Sequence, residues 1–345
     1  MNIELRPTSD ADAAAVSEFL TRILEPPARS SYAADAHLAW KYWLARPDWP
    51  GSRSFTARHN GTILAHAAAW PVRLLVPGAV VPAVHVVDWV ADPAYPGAGI
   101  WLMRRIARTA RAAIATGGSD MTRRILPVIG FRPHGHLWCF ARPVRPLAQV
   151  RTAPKRGWRT AARLARNTAW RISEPLSCPR GWSARHATPE DIPDRLWPRP
   201  SSTTAVTARD RAFYEYILRA PSPRHELFVM NKDEKAVGYF CVAFAPRVAR
   251  IADLWLDSTS VNDWRKAVRT AAAAAAASPE VCEVTVWAST SLAKAALSDA
   301  GFRVRDQTEI SVSGDVGFLE GRALHLQMLD CDASVIARDV VSYLT

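Results

Sequence analysis

The chain has little to cross-link it and little to hold a metal. Its five cysteines (139, 178, 241, 282 and 331) are scattered over 345 residues, odd in number and free of any C-x-x-C pair. That spacing argues against a disulfide framework or a cysteine-ligated zinc, so reduced thiols in a cytoplasmic protein are the expectation. The sequence His134-Gly-His136 has no carboxylate or cysteine beside it. It reads as ordinary loop, and no metal is expected. Long apolar runs are also missing. The best uncharged stretch, 74–87, is interrupted by Pro77, Gly78, Pro82 and His85, and is too short to span a bilayer. The start, Met1-Asn-Ile-Glu-Leu-Arg6, shows no apolar segment behind a basic one, so no signal peptide is expected.

Negative charge is absent from one long stretch. Between Asp120 and Glu174 there is no acidic residue, while twelve cations from Arg123 to Arg171 fall inside it. The net charge of +12 is therefore concentrated there. A solvated, arginine-rich linker helix is the plainer reading. A surface across 142–171 for a polyanion, such as anionic lipid, nucleic acid or a phosphorylated ligand, is the sharper one. No nucleic-acid module accompanies the charge, so no specific nucleic-acid partner is expected.

What is present is a repeat. Arg6-Pro-Thr-Ser-Asp-Ala-Asp12 returns as Arg185-His-Ala-Thr-Pro-Glu-Asp191. Trp40-Lys-Tyr42-Trp-Leu44 is answered by Tyr214-Glu-Tyr216-Ile-Leu218, and Phe55 by Phe228. Asp88-Trp-Val-Ala-Asp92 is answered by Asp253-Leu-Trp-Leu-Asp257, and Gly130-Phe131 by Gly301-Phe302. Collinear matches at a domain-sized period describe two copies of one unit, not a solenoid. The division expected is a first copy over 1–145, a basic helical linker over 146–180, a second copy over 181–313 and a strand–helix tail over 314–345.

Local signals order each copy. Helices are expected over 13–24, 36–44 and 100–115, with strands over 54–59, 62–76 and 79–91. Asn60-Gly61 marks a hairpin, and Pro77-Gly78 a turn. In the second copy, helices are expected over 209–219, 263–277 and 291–300, and strands over 249–257 and 281–288. The tail should carry a strand over 324–329 and a final helix. The order strand, helix, helix, three antiparallel strands, helix, strand, helix is an α+β plan: in each copy a mixed, mostly antiparallel sheet flanked by helices.

Glycine is sparse, and Pro96-Gly97-Ala98-Gly99 stands where a strand should hand over to a helix. Unpaired N–H groups and the helix dipole make such a junction an anion cradle, and glycine lets the backbone close on the anion. This is neither a Walker A nor a dinucleotide fingerprint. Taken with the element order and the terminal Gly-Phe, it resembles the GNAT acyltransferase superfamily, in tandem.

That resemblance implies an acyl-CoA co-substrate, acetyl-CoA as first choice, and transfer to a small-molecule or peptide amine. It places the pyrophosphate on Gly97, Ala98, Gly99, Ile100 and Trp101, with Arg104 nearby. It places the thioester against the backbone of Val90 and Ala91. Pro96 and Trp101 depart from the family pattern R/Q-x-x-G-x-G/A. The second copy reads Ser258-Thr-Ser-Val-Asn-Asp-Trp264 there, without glycine, and is expected to be degenerate and to wall the acceptor cleft.

Asp88, on the strand leading into the loop, is the candidate base, or else a fold-defining carboxylate like its counterpart Asp253. The family's usual acid, a tyrosine four residues before Gly-Phe, is replaced by Leu126 and Leu297. Tyr95 is the substitute chosen, with Ser119, His134 and His136 as weaker ones; a CoA thiolate also leaves unaided. The rival to an enzyme is a non-catalytic scaffold or partner-binding protein. Another is a transferase of the mycothiol-synthase kind with a wide pocket lined by Trp40, Trp43 and Trp49.

Overall fold

The computed structural model describes residues 3–24, 34–152, 157–336 and 343–345. The first half runs β1 (Glu4–Pro7), α1 (Ala13–Leu24), α2 (Asp35–Leu38), β2 (Ser54–His59), β3 (Thr62–Val76) and β4 (Ala79–Ala91). It continues with α3 (Pro96–Ile106), β5 (Ala112–Thr116), α4 (Asp120–Val128) and β6 (Arg132–Pro143). Two linker helices follow, α5 (Pro146–Arg151) and α6 (Trp158–Ser173). The second half runs β7 (Trp182–Ala187), β8 (Thr204–Thr207), α7 (Arg211–Ile217), β9 (Arg224–Lys232), β10 (Lys235–Ala245) and β11 (Val248–Leu256). Then come α8 (Val261–Ala277), β12 (Glu283–Ala288), α9 (Ser291–Asp299), β13 (Arg303–Gly314) and, in the tail, β14 (Ala323–His325).

Turn chemistry places most of these bounds. Asn60 (φ 48°) and Gly61 (φ 82°) take the left-handed conformations that a tight β2–β3 hairpin requires. Ser9 with Asp12 and Thr188 with Asp191 form matching capping boxes at the two ends of the Arg–Asp repeat. Gly130 and Gly301 close α4 and α9 with positive φ, and the next residues, Phe131 and Phe302, donate back to the Leu126 and Leu297 carbonyls at 3.0 Å.

All described strands join one mixed sheet. Its order is β1-β2-β3-β4-β5-β13-β6-β12-β11-β10-β9-β7, with β8 joining β3 to β14 at the side. The last strand of each half lies in the other half's territory. β13 stands between β5 and β6, and β6 pairs with β12. One core forms where the halves meet: Trp40 stacks on Tyr216 at 4.9 Å, and each side chain donates a hydrogen bond to the other's carbonyl. The other two cores lie under α8 and α9, and under α3 and α4.

Three expectations are corrected. The helix expected over 100–115 ends at Ile106, where Thr109 Oγ1 donates to the Ile106 carbonyl at 2.6 Å, and Ala112–Thr116 becomes β5. Hydrogen-bonded on both edges and buried through Ala115, that strand has no polar alternation to reveal it. The helix over 36–44 is a single α-turn continued as a π-turn, Ala39–Trp43, whose final carbonyls are taken by the buried Arg53. In the tail, strand geometry stops at His325, and Met328–Asp330 is a 3-10 turn. The final helix expected there falls mainly on residues outside those described. β6 and β13, twelve residues each, had no counterpart in the expected element list.

Candidate active site

β4 and β5 pair in parallel only over Ala83–His85 and Ala112–Ile114. β4 stays bonded to β3 through Ala91, so beyond His85 its other edge is turned to an open cleft. A bulge drives the divergence. The register against β3 slips between His66 and Ala68, and Asp88 takes φ +54° at the slip. Asp is among the few side chains that tolerate that conformation, and a bulge bends and twists the strand carrying it. The cleft holds a cavity of about 400 Å³. Its walls include Val87, Asp88 and Val90 of β4, Thr116 at the end of β5, Met103 of α3, Trp287 of β12 and the tail residue Asp332.

The glycine loop lies beside this cleft. α3 starts at Pro96, and Gly97 has open space where a Cβ would project. Gly99 is different: a Cβ there would sit 2.9 Å from the Ala91 Cβ, so glycine is what lets α3 approach β4. Trp89 Nε1 donates to the Gly99 carbonyl at 2.8 Å and pins that approach. Trp101 is 55% exposed and so does not pack into the core.

A buried charge cluster forms the floor. Lys41 Nζ lies 2.5 Å from Asp88 and 2.7 Å from Asp332, with side-chain exposures of 1%, 3% and 17% respectively. The Tyr42 hydroxyl donates to Asp88 at 2.7 Å, and the Asp88 carbonyl accepts from His66 Nδ1 at 3.1 Å. Burial would lower the Lys41 ammonium, but Asp332 and Asp88 outweigh it and hold it above its ordinary value. Burial raises the Asp332 carboxyl, Lys41 opposes, and Asp88 adds to the rise. Burial pushes His66 down to about 4. The cleft thus offers a carboxylate pair sharing one lysine, next to neutral imidazole and phenol.

The second half repeats the cluster and closes the cleft. Arg209 bridges Asp253 (2.8 Å) and Asp330 (2.7 Å), and the Tyr214 hydroxyl donates to Asp253. β11 and β12 pair over Val248–Ile251 and Glu283–Val286, then part as β4 and β5 do. Here the tail fills the gap. Gln327 Oε1 accepts from Leu254 N and Gln327 Nε2 donates to Leu254 O, both at 2.8 Å, as a neighbouring strand would. His325 packs edge-on against Trp255 and Trp264, and the remaining space is about 20 Å³.

Of the residues singled out from sequence, Asp88 and Val90 line the cavity, while Ala91 and Gly97-Ala98-Gly99 form the adjoining strand and helix start. Ile100 is half-buried in the first turn of α3. Tyr95 is the exposed residue preceding α3 and is not in the cavity wall. Arg104 stands in the last turn of α3, where a cation suits the carbonyl end of the dipole, not the phosphate end. Asp88 is engaged by Lys41 and Tyr42 rather than poised alone. Sequence reasoning missed Lys41 and Asp332. The one available signal was Asp330-Cys-Asp332, two acids set close together after the mostly apolar stretch 324–329. The tyrosines that meet the paired aspartates are Tyr42 and Tyr214, two residues out of register with the repeat as read from sequence. Among the described residues no group of acids, histidines and cysteines is arranged to hold a metal ion.

A mixed sheet with a strand splayed at a bulge, followed by a glycine-led helix and built twice with exchanged last strands, defines the class. The chain has the fold of the GCN5-related N-acetyltransferase superfamily in a two-lobed form. It is similar to a GCN5-related N-acetyltransferase from Anabaena variabilis (TM-score 0.60, 13% identity, 93% of this chain and 75% of that one). It is also similar to the N-myristoyltransferase of Saccharomyces cerevisiae solved with bound myristoyl-CoA (TM-score 0.62, 16% identity, 90% and 82%). A putative acetyltransferase from Pyrococcus horikoshii matches at TM-score 0.55 and 12% identity, over 91% and 89% of the two chains. The sequence itself matches no protein-family model and no curated protein.

Proposed function

We propose that the first half binds an acyl-CoA, acetyl-CoA in the first instance, and transfers its acyl group to a small-molecule or peptide amine. One observation carries this reading: the two clefts are built alike, yet the first is open beside a free helix start and the second is plugged by the chain's own tail. Backbone N–H groups of Gly97 and Gly99 would face the pyrophosphate, that of Ala98 being donated to the Tyr95 carbonyl at 3.0 Å, and the unpaired edge of β4 at Val90 and Ala91 the thioester carbonyl. The amine nitrogen attacks the carbonyl carbon, its C–N bond forms, and the C–S bond breaks. The ammonium proton passes to a carboxylate, and the CoA thiolate takes a proton from solvent. Asp332 is the acceptor of that proton in this reading. It is the more exposed member of the pair, and burial together with the Asp88 charge raises its carboxyl above the ordinary value. Asp88, held by Tyr42 and Lys41, positions it. The tail residues of the wall, with Trp287, face the acceptor.

Calorimetric titration with acetyl-CoA and with CoA tests the cofactor site, comparing wild type with Gly97→Asp. Aspartate fits the open space at position 97 and favours the helix start, so the fold is retained while an anionic ligand is repelled. Saturable binding weakened at least about tenfold in the variant supports the reading, since about 1.4 kcal/mol of repulsion suffices. Absent or equal binding would return the chain to a second reading, a non-catalytic scaffold. The observation favouring that one is the neutralisation of Asp88 by a buried lysine.

A further inference from the structure

Helix α6 carries a feature that acyl transfer does not use. Trp158, Ala162, Ala165, Ala169 and Ile172 recur at steps of four and three, so they share one side of the helix. All five are exposed, Trp158 by 76% and Ile172 by 73%. The buried side is anchored separately: Trp170 Nε1 donates to the Gly301 carbonyl at 2.9 Å, and Asn167 Nδ2 to Gln149 at 2.9 Å. Arg159 and Arg166 lie to one side of the apolar stripe and Arg163 further round, toward the buried Trp170 and Asn167; all three are exposed. From β13, Arg303 and Arg305 extend the positive rim, their guanidinium groups 4.3 and 5.1 Å from the Trp170 ring.

These cations crowd one another. Burial, then Arg163 and Arg303, hold Arg166 below the usual arginine value; burial, then Arg166 and Arg303, do the same to Arg305, with Glu283 opposing. Arg305 Nε and Nη2 are buried without a hydrogen-bond partner among the described residues. An apolar stripe with a terminal indole, edged by cations, matches a bilayer surface: the stripe enters the acyl boundary while the arginines meet anionic headgroups. Nucleic acid would use the arginines but leave the aliphatic stripe in water.

We propose that α6 is a docking helix for an anionic lipid bilayer, holding the protein peripherally at a membrane surface. No described helix is long and apolar enough to cross a membrane, so the contact lies in the plane of the interface.

The test is co-sedimentation of the full chain with phosphatidylcholine vesicles, with and without phosphatidylglycerol, at low and high salt. Wild type should bind only the anionic vesicles. Replacing Arg159, Arg163 and Arg166 by glutamine should weaken binding on the order of 100-fold, from about 1 kcal/mol per cation near the surface. Trp158→Glu with Ile172→Glu should abolish the part that survives high salt. Both changes are on exposed positions; thermal melting checks the fold, and Trp158→Gln replaces the pair if it unfolds. Three results would overturn the proposal. One is no binding to anionic vesicles. A second is binding that ignores the Trp158 and Ile172 changes and is competed fully by an RNA oligonucleotide. The third is a dimer in sedimentation velocity that Ile172→Glu dissolves, which would mean a second copy covers the stripe.

Discussion

Replacing Lys41 by methionine keeps the aliphatic stem and removes the ammonium that two buried carboxylates touch. Breaking such a buried pair costs about 3–5 kcal/mol. Spread over the unfolding entropy of a 345-residue chain, that is a fall in Tm of roughly 4–7 °C. The loss depends on pH in a defined direction. Asp332 is already raised above its ordinary value, and losing the lysine raises it further. A carboxyl raised in the folded state costs stability as pH climbs from its unfolded value through its folded one. Lys41→Met should therefore lie closest to wild type near about pH 4, the unfolded carboxyl value, and be more destabilised near about pH 8. Scanning calorimetry at the two pH values reads both numbers. Adding Asp332→Asn to the variant should recover part of the Tm, because one of the stranded charges is gone. An unchanged Tm at the higher pH, or the same loss at both, would refute the cluster as drawn.

Other consequences follow from burial and from the plug. Gln327→Ala strips both partners from Leu254 N and O, and should cost about 2–4 kcal/mol without creating CoA binding in that cleft. Denaturation and calorimetry on that one variant check both halves of the statement. Burial holds His66, His85 and His225 at about 4 and His37 at about 3, against 6.5 for a free histidine. The unfolded chain therefore binds protons first, and stability should fall as pH drops from about 6.5 toward 4, as urea melts across that window would show.

The parts of the fold that read directly were those with local causes. The β2–β3 hairpin and β4 have the expected bounds because Asn60-Gly61 and Pro77-Gly78 set their ends. β5, β6 and β13 were invisible for a shared reason: each is stabilised by a strand from the other half, so nothing in its own neighbourhood announces it. The site divides the same way. Gly99 and the bulged Asp88 are features of one strand–helix junction and stood out in sequence. Lys41 and Asp332 meet only because the tail returns across both halves. The missing glycines gave the expectation of a degenerate second copy walling the acceptor cleft; that the second cleft is filled was not foreseen, and the agent is Gln327, an amide that mimics a strand edge and carries no motif.

The exchange of β6 and β13 makes the halves inseparable in a mechanical sense. A cut in the linker between α5 and α6 would leave two fragments, each holding a central rib of the other's sheet. Withdrawing either would open a row of unpaired amides through the middle of the molecule, not at its rim. A nicked chain should therefore still migrate and melt as one particle. The two halves of this protein make a single span with two abutments, and because the shared ribs keep both upright, one abutment is free to be filled in while the other stays open.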